Sequence, residues 1–159
     1  MYNTDYQLIQ RQLKSLLEDE THWLANLANT SALLFSQVED LNWVGFYLLE
    51  GNELVLGPFQ GKPACVRIPL GKGVCGTSAE QRKPIVVPNV HEFPGHIVCD
   101  AASRSEVVVP LLTKQGELLG VLDLDSPVVG RFSEQDAQSL SEIVDILLLA
   151  CEWPKKATA

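Results

Sequence analysis

The chain has no run of about 18 or more consecutive apolar residues, which excludes a membrane-spanning helix. Its start, Met1-Tyr2-Asn3-Thr4-Asp5, has neither a basic segment nor an apolar stretch behind it. No secretory signal is expected there, and the cytoplasm is the expected compartment. Basic residues are scarce: 12 Lys and Arg stand against 20 Asp and Glu, a formal charge of −8. Such a surface repels phosphate backbones and argues against nucleic-acid binding. Solubility alone accounts for the acidity. None of the four cysteines has a C-x-x-C partner, which argues against a zinc ribbon or a thioredoxin-type motif. There is no internal repeat and no linker-like stretch. The 159 residues therefore read as one domain over 1–153, with a small, polar tail at 154–159 expected to be disordered.

What is present alternates between two periods. Tyr6, Ile9, Leu13, Leu16 and Leu17 fall at steps of three and four and predict a helix over about 4–19. Thr21 offers a cap for a second helix, which runs to about Phe35. Residues 42–49 are aromatic and β-rich, and 54–56 return after a turn at 50–53. A third strand is expected at 64–68, a short helix at 74–82 and a short strand at 85–87. Residues 89–105 form a long loop, a length usually kept for lids and binding loops. Two strong strands, 106–112 and 118–125, flank a hairpin turn. Ser133-Glu134-Gln135-Asp136 caps a last helix with an apolar face through Ala137, Leu140, Ile143, Val144 and Leu147. The order fits an α+β class, one central antiparallel sheet flanked by helices.

The candidate chemistry gathers around the loop. Cys99 follows Pro94-Gly95 and precedes a run of small and polar residues, a placement that suits reactivity better than packing. It is read as a nucleophile, onto which Cys65 or Cys75 closes a disulfide during turnover. Cys75 lies in the first turn of the short helix, where the positive helix end favours a thiolate; a small buried residue is the equal alternative. Cys65 sits mid-strand in the expected third strand. Cys151 falls on the apolar face of the last helix and is read as structural. Gly71-Lys72-Gly73-Val74-Cys75-Gly76 matches G-x-G-x-x-G, but the flanking strands look antiparallel, so a dinucleotide site is set aside. The glycines instead expose N–H groups at a helix start able to hold a substrate carboxylate.

Asp123 and Asp125 alternate with leucines and share one sheet face, and Glu106 opens the neighbouring strand. Three carboxylates thus crowd one sheet end. If that end is enclosed, one of them keeps a proton and serves as a general acid, and the others can hold an ammonium group. Trp43 and Tyr47 share a face, an aromatic wall suited to a small ligand with an apolar end. His91 and His96 flank the long loop and read as solvated; His22 carries no signal.

The segments 42–47, 57–65, 71–76, 96–100 and 120–126 together resemble free methionine-(R)-sulfoxide reductase, a family of stand-alone GAF domains. The resemblance covers about residues 6–149. It implies a GAF fold and reduction of free methionine-(R)-sulfoxide, with no bound cofactor or metal and with thioredoxin as external reductant. It implies Cys99 as the attacking thiol and Cys65 as the main resolving thiol, forming a Cys65–Cys99 redox disulfide. Cys75 is then a second resolver or a pocket residue. Glu106, Asp123 and Asp125 match the family's substrate-binding carboxylates, Trp43 and Tyr47 its pocket wall, and a homodimer is implied. The rival readings are a GAF-type small-molecule sensor and a cysteine redox switch without turnover.

Overall fold

The computed structural model describes residues 2–155, so the tail expected at 154–159 lies, from residue 156 on, outside the described residues. Helix α1 (Tyr6–Leu17) starts where the Asp5 carboxylate accepts from the Leu8 N–H at 3.0 Å, and it buries Ile9, Leu13 and Leu17 at steps of four. It ends two residues short of the expected limit, because Asp19 takes a positive φ of 62°. Helix α2 (Trp23–Gln37) is capped not by Thr21 but by the ring nitrogen Nδ1 of His22, which accepts from Ala25 N–H at 3.4 Å. No helix of the described residues is long and apolar enough to cross a membrane.

Six antiparallel strands follow: β1 (Trp43–Glu50), β2 (Glu53–Gly61), β3 (Arg67–Pro69), β4 (Ile85–Val87), β5 (Ser105–Leu112) and β6 (Leu118–Ser126), in the order β3-β2-β1-β6-β5-β4. Helix α3 (Gly73–Gln81) lies between β3 and β4, and α4 (Glu134–Ala150) closes the described fold. The capping box predicted at Ser133 and Asp136 is present.

Strand β2 is longer than expected. Gly57-Pro58 looks like a terminator, but it falls where the β1–β2 register shifts between Gly45 and Tyr47. A bulge leaves residues unpaired, so the missing proline N–H costs no ladder bond there. Strand β3 is correspondingly short, and Cys65 lies in the loop before it rather than mid-strand.

Alternation along the strands divides the interior. Val44, Phe46, Val107, Val109, Leu122 and Leu124 face one layer, where α1, α2 and α4 pack. Trp43, Tyr47, Val108 and Val121 face the other, with Val74, Cys75 and Ala79 of α3. Because the side-chain period is two, Glu106, Asp123 and Asp125 must share this second face. The 89–105 segment covers it. This segment is less free than a bare loop: it holds a 3-10 turn over Val90–Glu92, and Val90 N–H and Arg104 N–H are tied to Arg104 O at 2.9 Å and Ser126 O at 2.7 Å.

Candidate active site

The site lies where the central strands, the start of α3 and the 89–105 segment meet. Register fixes its floor. Asp125 stands opposite both Trp43 of β1 and Glu106 of β5, and Asp123 opposite Gly45 and Val108. Glu106 and Asp123 are each 5% exposed and Asp125 9%, so these carboxyls are out of water. Burial pushes the Asp123 carboxyl well above the ordinary carboxylate range, and the charges of Asp125 and Glu106 push it further. Burial also raises Asp125, with Glu106 as the next cause. Three like charges this close cannot all ionise in a dry site. Both shifts favour a protonated carboxyl in the floor. Asp123 Oδ1 is buried and has no hydrogen-bond partner among the described residues.

Cys75 meets this cluster from α3, with its Sγ 4.0 Å from Glu106 Oε2. Burial raises its thiol well above the ordinary value, and Asp123 and Glu106 add to the shift. Of the two readings of Cys75, burial and the two carboxyls favour the small buried residue over the thiolate that the helix start alone would favour. The donor atoms of Cys75, Glu106 and Asp123 lie within 4.8 Å of one another, close enough to face one cation.

The mouth of the pocket carries a disulfide. Cys65 and Cys99, 34 residues apart in sequence, are joined with a Cα–Cα distance of 5.5 Å. Two aromatic residues hold the Cys65 segment. Trp43 Nε1–H donates to Lys62 O at 3.1 Å, and Tyr47 O–H donates to Cys65 O at 2.8 Å. Trp43 also stacks between Tyr47 and Phe59, at centroid distances of 5.9 and 5.3 Å. Beyond Cys99, Asn42 Nδ2 donates to Asp100 Oδ2 at 3.0 Å and to Ser103 Oγ at 2.9 Å. Ala102 N–H, Asn42 and Lys62 hold the Asp100 carboxyl below its usual value. Before Cys99, Ile97 covers the start of α3, where Gly73 takes a φ of 62° and a Cβ would meet Ile97 Cδ1 at 3.1 Å.

Comparison with known proteins matches residues 12–150 to the GAF domain. The chain is 55% identical over 139 residues to "Free methionine-R-sulfoxide reductase" of Escherichia coli K12, covering 87% of this chain and 84% of that protein. It superposes on fRMsr of Staphylococcus aureus, in complex with substrate, with a TM-score of 0.88 and 53% identity, covering 94% and 97% of the two chains. It also superposes on free methionine-R-sulfoxide reductase from Neisseria meningitidis in complex with its substrate, with a TM-score of 0.87 and 47% identity, over 91% and 87%. The chain belongs to the free methionine-R-sulfoxide reductase family.

Within this free methionine-R-sulfoxide reductase fold, the residues singled out from sequence converge. Cys65, Cys75, Cys99, Trp43, Tyr47, Glu106, Asp123 and Asp125 are all at or beside one pocket. Cys151 stays apart, half-buried at the end of α4 with Asn26 Nδ2 3.7 Å from its sulfur. Three residues escaped the sequence reading. His96 is not solvated: it lines the pocket, and its Nε2 lies 3.7 Å from Glu106 Oε1. Asn42 anchors the loop behind Cys99. His22 caps a helix. The sequence signals for His96 were its place three residues before Cys99 and its position in the 96–100 segment that carries the resemblance.

Proposed function

We propose that this protein reduces free methionine-(R)-sulfoxide to methionine through a thiol–disulfide cycle. One observation carries the reading: the Cys65–Cys99 disulfide sits at the mouth of a pocket floored by buried acids. The activity for which the Escherichia coli relative is named supports the same substrate.

The chemistry follows from the residues. With the bridge reduced, the Cys99 thiolate attacks the substrate sulfur. A sulfoxide oxygen leaves poorly unless protonated, and a neutral carboxyl of the Glu106, Asp123, Asp125 cluster supplies the proton. Oxygen passes to Cys99, methionine departs and Cys99 is left as a sulfenic acid. The Cys65 thiol then condenses with it, forming the disulfide and releasing water. In sum, one sulfoxide and two thiols give one thioether, one disulfide and water. Thioredoxin returns two electrons and two protons to the bridge. The cycle needs no resident metal or organic cofactor.

The remaining carboxylates hold the substrate ammonium, and the orphaned Asp123 Oδ1 is a ready acceptor for it. The N–H groups at the start of α3 receive the substrate carboxylate. Trp43 and Tyr47 pack on the methyl end. Methionine sulfoxide within a peptide has no ammonium to offer, so the buried acids would be left unpaired and the peptide excluded. Cys75, protonated beside Glu106, contributes to the pocket rather than resolving. The enzyme works in the cytoplasm as a homodimer.

Methionine release tests the cycle. Cys99→Ser is expected to abolish turnover, and Cys65→Ser to stop after about one equivalent of methionine, since its sulfenic acid lacks a partner. Full multiple turnover by Cys99→Ser sinks the assignment.

A further inference from the structure

Nine large apolar side chains are exposed among the described residues. Four lie on α1 and α2, two follow β6 and one ends α4. The remaining two are Val66, 58% exposed, and Val98, 65% exposed. Each is the sequence neighbour of a bonded cysteine, Val66 after Cys65 and Val98 before Cys99. Two exposed valines beside one disulfide are not needed for folding, because burial elsewhere makes the core.

Charge singles out the same place. The chain carries 20 acidic residues, yet none falls between Glu53 and Glu80, and none between Glu92 and Asp100. Those two segments contain Cys65 and Cys99, together with Lys62, Arg67, Lys72 and His96. On a protein of formal charge −8, the chain on both sides of Cys65 and before Cys99 is thus free of acids, and the one acid beside the bridge, Asp100, is tied back by Asn42 and Ala102 N–H.

We propose that Val66 and Val98 form the docking surface for the protein that reduces the disulfide. The occupant is a dithiol oxidoreductase with an apolar face around its thiols. Thiol–disulfide exchange demands this contact. A partner thiolate must reach one sulfur of the bridge and form a mixed disulfide. The partner's second thiol then breaks it, leaving Cys65 and Cys99 as thiols and the partner oxidised by two electrons. Whatever flanks the bridge must lie against whatever flanks the partner's thiols. Apolar side chains gain from that contact, and the scarcity of acids in the two flanking segments limits charge repulsion there. The docking surface serves the cycle proposed above, but its test does not need the sulfoxide.

The test measures reduction of the oxidised protein by thioredoxin and, separately, by dithiothreitol. Replacing both residues, Val66→Ser with Val98→Ser, is expected to slow thioredoxin about tenfold or more, ~1.4 kcal/mol of lost apolar contact. Reduction by dithiothreitol, which needs no docking face, is expected to stay unchanged and also reports that the variant is folded. Val98→Glu, which replaces an apolar contact with a charge that must be desolvated on docking, is expected to slow thioredoxin as well. An unchanged thioredoxin rate in the double variant overturns the proposal. So does equal slowing with both reductants, because the valines would then act on the bridge itself. Methionine release from the wild type under dithiothreitol reports on the substrate separately. If it fails while the valine effect holds, the docking surface stands and the sulfoxide assignment falls.

Discussion

Reducing the Cys65–Cys99 bridge should cost the fold a definite amount of stability. The bridge joins the loop before β3 to the loop before β5, across 34 residues of chain. In the chain-entropy treatment, closing a loop of 34 residues removes about 12.6 cal/mol/K from the unfolded state, or about 3.8 kcal/mol at 25 °C. For a chain of 159 residues, each kcal/mol moves the melting temperature by about 2–4 °C. The oxidised protein is therefore expected to melt about 8–15 °C above the reduced protein. Differential scanning calorimetry with and without reductant measures the shift. Cys65→Ser and Cys99→Ser should each melt near the reduced wild type and ignore reductant, while Cys75→Ser should keep the redox-dependent shift. Equal melting temperatures for oxidised and reduced wild type would refute the loop-closure argument. A redox shift lost in Cys75→Ser would refute the pairing itself.

The acid cluster makes a pH prediction with a definite sign. Burial and mutual repulsion raise the folded-state Asp123 and Asp125 carboxyls above an unfolded value of about 3.9. The folded state then binds more protons than the unfolded state, so these groups lower stability as pH rises above about 4 toward their folded values. Asp123→Asn should accordingly gain stability over the wild type, by a margin that widens with pH in urea titrations from pH 4 to 8. A margin that shrinks over that range contradicts the raised values. At the loop, Asn42→Ala removes both ties to Asp100 and Ser103 and is expected to cost about 1–3 kcal/mol locally. Faster amide exchange at residues 101–103, with β6 unaffected, is the expected outcome; unaltered exchange there would show that Asn42 does not hold the loop.

Local period carried most of what could be read without coordinates. Two-residue alternation put Asp123 and Asp125 on one face of their strand and Trp43 and Tyr47 on one face of theirs, and the register shows that these faces are the same. The last helix announced itself by its cap and its apolar stripe. What failed were positions decided by distant partners. Ala64-Cys65-Val66 has β-like composition, but β3 pairs with β2 only over Arg67–Pro69, and ahead of it the tie to β2 is Leu56 N–H donating to Val66 O at 2.9 Å. The bulge that lets β2 run past Pro58 belongs to the pairing, not to either strand alone. The Cys75 thiol was judged by its own helix, while Asp123 and Glu106, which help fix its protonation, come from other strands. His96 lies in a segment with no period at all, so nothing local could distinguish a solvated ring from one packed beside Glu106.

The loop around Cys99 is tied behind the cysteine and turns at a glycine ahead of it, and this bears on how one cysteine can serve two partners. Behind it, Asn42 holds Asp100 and Ser103. Ahead of it, the segment leaves the 3-10 turn through Pro94 and Gly95, where Gly95 takes a φ of 73°. Glycine tolerates that conformation and neighbouring ones at little cost, so rotation there is cheap. Between these points lie His96, beside Glu106, and Ile97, on the start of α3. In the proposed cycle Cys99 must face the acid floor to attack and Cys65 to be resolved. A hinge at Gly95 would let both happen without disturbing the floor, because every carboxyl of the cluster is carried on a paired central strand. Cost and benefit are thus separated in the fold. The rigid sheet carries the destabilising buried acids, and the movable sulfur sits on a segment with few core contacts.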